Sequence, residues 1–108
     1  MIRQAYVCGS YSAPTEGITL AHVRAALGHA HTLASIGWSP IVPHTMGSHR
    51  ATWDEAMVRC RDLIRGLDPA CDVLVTLPGW ECSRGAQEEV ELAREVGLRV
   101  VTMREALR

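Results

Sequence analysis

The chain has 108 residues, 47% of them hydrophobic, and its formal net charge at pH 7 is −1. This length and composition predict one domain, residues 1–108, with a single hydrophobic core. The charge gives no electrostatic reason to expect binding to nucleic acid or to a membrane. No apolar run reaches membrane-spanning length and the first residues lack a signal-peptide pattern, so we expect a cytoplasmic protein.

Strands and helices are predicted to alternate along the chain. The predicted strands, each a short apolar run bounded by turn-forming residues, are 4–8, 40–43, 73–77 and 99–102. The predicted helices are 18–36, 52–66, 83–97 and a short one after 102. Two of these helices begin with a capping box, one at Thr52 and one at Thr102.

This alternation predicts an α/β fold with a small parallel sheet and helices on both faces. Right-handed crossovers and short connections favour the strand order 2-1-3-4, a flavodoxin- or Rossmann-like arrangement. In that order the chain reverses direction between strands one and three, and ligands bind at such a switch point, beyond the carboxyl ends of the strands. The two loops that flank this point are 9–17 and 78–83.

The helix that follows the second of these loops carries an acid on its apolar side. On a helical wheel of roughly 100° per residue, Glu89 falls near the middle of an apolar arc. The arc consists of Ala86, Val90, Leu92, Ala93 and Val96. A carboxylate in such a position must be paired, hydrogen-bonded or protonated. Two interpretations stay open: a structural acid satisfied by backbone N–H groups or an arginine, and a functional acid beside a ligand.

The residue types present limit which metals, cofactors and reactions are expected. No metal is expected, because His44 and His49 lie five apart in a loop without a third ligand. The lack of lysine excludes a P-loop, and without a G-x-G-x-x-G motif no dinucleotide cofactor is expected. The four cysteines form no C-x-x-C pair and are expected to be reduced. What remains is a carboxylate beside helix N-terminal amides, which can act at an anomeric carbon while the helix start holds a phosphate.

Three segments resemble the nucleoside 2-deoxyribosyltransferase-like superfamily, and in particular its short phage and bacterial branch. They are Tyr6-Val-Cys-Gly-Ser-Tyr11, Val42-Pro-His44, and the stretch from Cys71 through Pro78-Gly-Trp80 to the S-x-G-x-x-x-E pattern that begins at Ser83. The likeness extends over nearly the whole chain, and the S-x-G-x-x-x-E pattern is its most specific part.

The resemblance implies hydrolysis or transfer at the N-glycosidic bond of a nucleoside or nucleoside 5′-monophosphate, with Glu89 as the nucleophile and no cofactor. The residues expected to bind this small-molecule substrate are Gly9, Ser10, Tyr11, His44, Gly79, Trp80, Ser83 and Gly85. Among them, Ser83 is expected to contact a 5′-phosphate, and residues 9–11 to lie against base and sugar. For Trp80, packing against a neighbouring subunit is the alternative.

Relatives often carry an aspartate on the helix before the third strand, where it acts together with the glutamate. Asp62 is the nearest candidate for this catalytic acid, and Cys60 is the alternative at that position. Asp72, at the start of the third strand, is interpreted as a structural cap. The resemblance further implies a homodimer or higher homo-oligomer whose neighbouring subunit completes the site.

Two other functions stay open. One is a phosphoribohydrolase like the cytokinin-activating enzymes, whose P-G-G-x-G-T-x-x-E motif also places a glutamate four residues after a glycine, as at Gly85 and Glu89. This chain has Trp80 where that motif has its second glycine, which ranks the hypothesis lower. The other is a non-catalytic nucleotide-binding or sensing module, which a missing acid partner would favour.

Overall fold

A computed structural model describes residues 2–9, 16–43 and 52–108, apart from the side chains of 16–19. The strands are β1 (Arg3–Cys8), β2 (Trp38–Ile41), β3 (Val73–Thr76) and β4 (Arg99–Thr102). The helices are α1 (Glu16–Ser35), α2 (Trp53–Arg65), α3 (Arg84–Glu95) and the short α4 (Met103–Ala106), and a 3₁₀ turn spans Trp80–Cys82. Within the described ranges, no helix is both long and apolar enough to cross a membrane.

The four strands form a parallel sheet in the order β2-β1-β3-β4. This confirms the predicted α/β fold and the predicted strand order. In β1, Tyr6 is paired with Ile41 of β2 and with Leu74 of β3. The order reverses direction between β1 and β3, so their carboxyl ends, where Cys8 lies beside Thr76, form the switch point of the sheet.

The sheet buries both of its faces, because successive side chains of each strand point to opposite sides. On one face, Ala5 and Val7 pack in a cluster with buried residues of α1 and α4. On the other, Tyr6 and Cys8 pack in a cluster with buried residues of α2 and α3. The alternation within β1 therefore assigns Tyr6 to the face that α2 and α3 cover, and this is the face on which Glu89 lies.

The helix starts predicted from capping residues are present. The hydroxyl of Thr52 accepts a hydrogen bond from the Glu55 amide at 3.1 Å. At Thr102 both bonds of the capping box form, with Glu105 as the partner. The main shift is in β2, which begins at Trp38, two residues earlier than predicted, because the Trp38 side chain is buried in the core beside α1.

Asp72 ties the start of β3 to β1, as its interpretation as a structural cap predicts. It is 4% exposed, and its two carboxylate oxygens accept from the backbone amides of Gln4 and Asp68, each at 2.7 Å. One carboxylate thus satisfies donors from two segments that are distant in the sequence. This role places Asp72 at the amino end of the strand, opposite the switch point.

Replacing Gly28 tests whether the backbone of α1 is an ordinary helix at this position. It lies inside α1 with φ in the ordinary helical range, and a Cβ there would meet nothing within 4 Å. Alanine restricts the unfolded chain more than glycine does, so Gly28→Ala is expected to raise the free energy of unfolding by about 0.5–1 kcal/mol. Chemical denaturation measures this gain.

The matched control is Gly37→Ala, in the turn that ends α1. Gly37 has a φ of +99°, which an alanine adopts only with strain, so this variant should lose about 1–2 kcal/mol although a Cβ has space there too. Equal effects of the two substitutions would contradict this account of α1 and its last turn.

Candidate functional site

Glu89 lies in the second turn of α3 and faces the sheet. Only 7% of it is exposed, which confirms that it belongs to the apolar side of the helix. One carboxylate oxygen, Oε2, accepts a hydrogen bond from the Tyr6 hydroxyl. Burial raises the pKa of the Glu89 carboxyl from its ordinary value to about 7, while the bond from Tyr6 opposes the rise. At neutral pH, a carboxyl with this pKa is present in both its protonated and its ionised form.

Tyr6 is the partner that sequence reasoning missed as a site residue. Its side chain is fully buried, and burial together with the nearby Glu89 holds the pKa of its hydroxyl far above the usual range. The hydroxyl therefore stays protonated and acts as the hydrogen-bond donor to Glu89. The available signal was a tyrosine between the apolar residues Ala5 and Val7, since a buried tyrosine hydroxyl requires a hydrogen-bond partner.

Two thiols complete the surroundings of Glu89. Cys60, half-buried on α2, packs against the core cluster that contains Tyr6. Cys8, buried in β1, donates to the backbone oxygen of Ala86 at 3.6 Å. Burial is the main cause that raises the pKa of both thiols, and the charge of Glu89 adds to it. Both cysteines are free, and both stay protonated at neutral pH.

Asp62, predicted to be the catalytic partner of Glu89, is exposed on α2. Residues two apart on a helix lie on nearly opposite sides, and Cys60 packs against the core, so Asp62 faces solvent. In the part of the chain that the structure describes, no hydrogen bond or ion pair joins Asp62 to Glu89. Cys60, the alternative for that position, is half-buried and packs against the core cluster that contains Tyr6.

The turn between β3 and α3 is built by Pro78 and Gly79. Gly79 has φ 86° and ψ 3°, and the amide of Trp80 donates to the Leu77 oxygen at 3.2 Å, the geometry of a type II turn. Glycine is favoured at this position because of its positive φ. Trp80 is half-buried and packs against the cluster between the sheet and the helices α2 and α3.

The first turn of α3 is held by Ser83 and Gly85. The Ser83 hydroxyl accepts from the Ala86 amide at 3.3 Å and so caps the helix, as its N-cap position predicts. Gly85 lies against α2, and a Cβ there would stand 3.3 Å from Met57 Sδ and 3.6 Å from Trp53 Nε1. This glycine therefore lets α2 and α3 approach each other closely.

At the end of β1, Gly9 is buried against β3. A Cβ at this position would come within 3.0 Å of the Leu77 side chain. The amide of Leu77 also donates to the Cys8 oxygen at 2.8 Å, so the two strand ends are in direct contact. The other residues expected to bind substrate near here, Ser10, Tyr11 and His44, lie outside the described residues.

Charged side chains surround the start of α3 on its solvent side. Glu88 forms ion pairs with Arg61 at 3.0 Å and with Arg84 at 3.6 Å. The Arg84 guanidinium also lies 4.5 Å from the centroid of the Trp53 ring. Within the described ranges, no group of three or more histidine, cysteine or acidic side chains is arranged to hold a metal ion.

The arrangement thus combines a buried carboxyl, a protonated phenol that donates to it, and a capped helix start beside the switch point of a parallel sheet. No curated protein matches the chain. A family model matches residues 4–102, which include all four strands except Arg3, and the helices α1, α2 and α3. The chain therefore belongs to the family of the domain of unknown function DUF4406.

Proposed function

We propose that this protein hydrolyses or transfers the N-glycosidic bond of a nucleoside or nucleoside 5′-monophosphate, with Glu89 as the nucleophile. The observation that carries the proposal is the buried Glu89 carboxyl, which receives a hydrogen bond from Tyr6 and has a pKa of about 7. Carboxyl groups with strongly raised pKa values are concentrated at functional sites. Burying a carboxyl is unfavourable for folding, and catalysis or binding is a reason to retain it.

The ionised carboxylate is the reactive form. Its free oxygen attacks the anomeric carbon, a new C–O bond forms as the C–N bond breaks, and the base leaves with the bonding electrons and takes up a proton from water. Water, or a second base, then attacks the same carbon and releases the sugar from Glu89. The bond from Tyr6 steadies the carboxylate in its ionised form and holds it in one orientation.

The start of α3 suits the phosphate of a 5′-monophosphate. The first backbone amides of a helix have no partner within the helix, and they carry the positive end of its dipole. The Ser83 hydroxyl lies at this same end. Since the helix start and Glu89 belong to one helix within two turns, a single ligand can contact both.

One observation favours a second candidate, a nucleotide-binding module without turnover. Asp62 is exposed on α2, and among the residues described no second carboxylate pairs with Glu89. A leaving base must then be protonated by water or remain bound. Detection of turnover decides between the two candidates.

The test is the release of free base, measured by liquid chromatography, from ribo- and deoxyribonucleosides and their 5′-monophosphates, with and without an acceptor base. The wild type is compared with Glu89→Gln and with Glu95→Gln, an exposed acid on the same helix. We expect release by the wild type and Glu95→Gln only. Release by all three proteins would exclude Glu89 as the nucleophile. Binding of a nucleotide without release by any of them would favour the module.

A further inference from the structure

A groove runs along the side of α3 that turns away from α2. Gly85 and Glu88 mark the side of the helix that faces α2. The groove has a volume of about 630 Å³ and is lined by Trp80, Gln87, Val90, Glu91, Arg94 and Glu95. Val90, which is 1% exposed, lies at its floor, and the half-buried Trp80 forms a wall. Glu89 does not line the groove, so this surface is separate from the proposed catalytic group.

The rim of the groove carries charges of both signs. Glu91, Arg94 and Glu95 are all exposed. Glu91 and Arg94 are three residues apart, a spacing at which side chains on a helix can pair, yet no ion pair joins them in the part of the chain that the structure describes. By contrast, Glu88 on the other side of α3 pairs with Arg61 at 3.0 Å. The rim charges are therefore available to a partner.

The helix that carries the groove packs against an open edge of the sheet. β4 is an edge strand, and α3 contacts it. The strand at the opposite edge, β2, contains Pro40, whose nitrogen cannot donate a hydrogen bond to a further strand. β4 (Arg99–Thr102) contains no proline, and an edge strand without such protection is prone to pair with other chains. A partner seated beside α3 would also shield this edge.

We propose that this groove is the contact surface between two copies of the chain, with their α3 helices packed antiparallel about a two-fold axis. In a two-fold contact, if one residue faces another across the axis, the second faces the first in the same way. When the axis passes between positions 92 and 93, Arg94 of each copy faces Glu91 of the other. The contact then contains two ion pairs between the copies.

The charges also select the direction of the helices. In a parallel pair, Glu91 would face Glu91 and Arg94 would face Arg94, and like charges placed opposite each other are unfavourable. The antiparallel pair instead lays the start of one α3 beside the end of the other, which covers Trp80. Tryptophan is enriched in protein interfaces.

The experiment is sedimentation velocity of the full chain at micromolar to millimolar concentration. We expect the wild type to form a dimer. Arg94→Glu and Glu91→Arg should each raise the dimer dissociation constant at least about tenfold, because each change enters the contact twice and places like charges opposite each other. The double variant, which carries both changes, exchanges the two charges and should restore the dimer.

Arg104→Glu is the matched control, since Arg104 is an exposed arginine on α4, which packs on the other face of the sheet. It should leave the dissociation constant unchanged, and circular dichroism checks that every variant keeps its helices. A wild type that stays monomeric throughout would overturn the proposal. So would single variants that dimerise as the wild type does, or a double variant that fails to restore a dimer lost in the single ones.

Discussion

Replacing Glu89 with glutamine is expected to abolish base release and, in the same protein, to stabilise the fold above neutral pH. The catalytic loss follows from the chemistry, because an amide oxygen is a poor nucleophile at an anomeric carbon. We expect a decrease in kcat/KM of at least about a thousandfold. In the wild type, kcat/KM should rise with pH and level off above about pH 7, since the ionised carboxylate is the reactive form.

The gain in stability follows from proton linkage. The Glu89 pKa is about 7 in the folded chain and 4.5 when the group is unperturbed, so between these values the folded state binds more protons than the unfolded state. The free energy of unfolding therefore falls as the pH rises from 4.5 to 7, and above pH 7 the loss is complete. Its size is roughly 3 kcal/mol, from about 1.4 kcal/mol per pKa unit.

Glutamine stays neutral at every pH and can still accept from Tyr6, so Glu89→Gln should avoid this loss. Urea denaturation at pH 4 and at pH 8 measures the difference between variant and wild type. We expect a small difference at pH 4 and a more stable variant at pH 8. The same comparison with Glu95→Gln, an exposed acid, should show little change at either pH. A variant that is less stable than the wild type at pH 8 would mean that the carboxylate has a stabilising charge partner.

Asp72→Ala is expected to be the most destabilising single change at a polar residue described here. Its two oxygens each accept a backbone hydrogen bond at 2.7 Å, from Gln4 and from Asp68. Alanine leaves both amides without this acceptor at a position that is 4% exposed in the native chain. At about 1–3 kcal/mol for each unsatisfied donor, the loss should reach about 2–5 kcal/mol.

Thermal and urea denaturation measure this loss. Asp68→Ala is the control, because the Asp68 side chain accepts two exposed bonds, from the Ala70 amide at 2.9 Å and from the Cys71 thiol at 3.6 Å. It should lose less than about 1 kcal/mol. If both variants lose the same amount, Asp72 contributes no more than an ordinary turn residue, and the connection between β1 and β3 depends on other contacts.

Much of the fold could be predicted from local patterns. The alternation of apolar runs with helical spacing predicted the α/β class, and general rules on crossovers and connections predicted the order 2-1-3-4 that the sheet has. The helix starts at Thr52, Ser83 and Thr102 were predictable because a cap depends on residues three positions apart. The prediction placed β2 two residues too late, because local patterns did not reveal that Trp38 is buried in the core.

The candidate site also has parts that could be predicted from the sequence and parts that could not. The sequence by itself identified Glu89, because the position of an acid on an apolar helix face follows from the helical repeat alone. It did not identify Tyr6 as the partner of Glu89. This pairing depends on which residue of β1 meets α3, and residues 83 positions apart are brought together only by the packing of whole elements. The close approach of α2 to α3 likewise depends on Gly85, where a Cβ would stand 3.3 Å from Met57 Sδ.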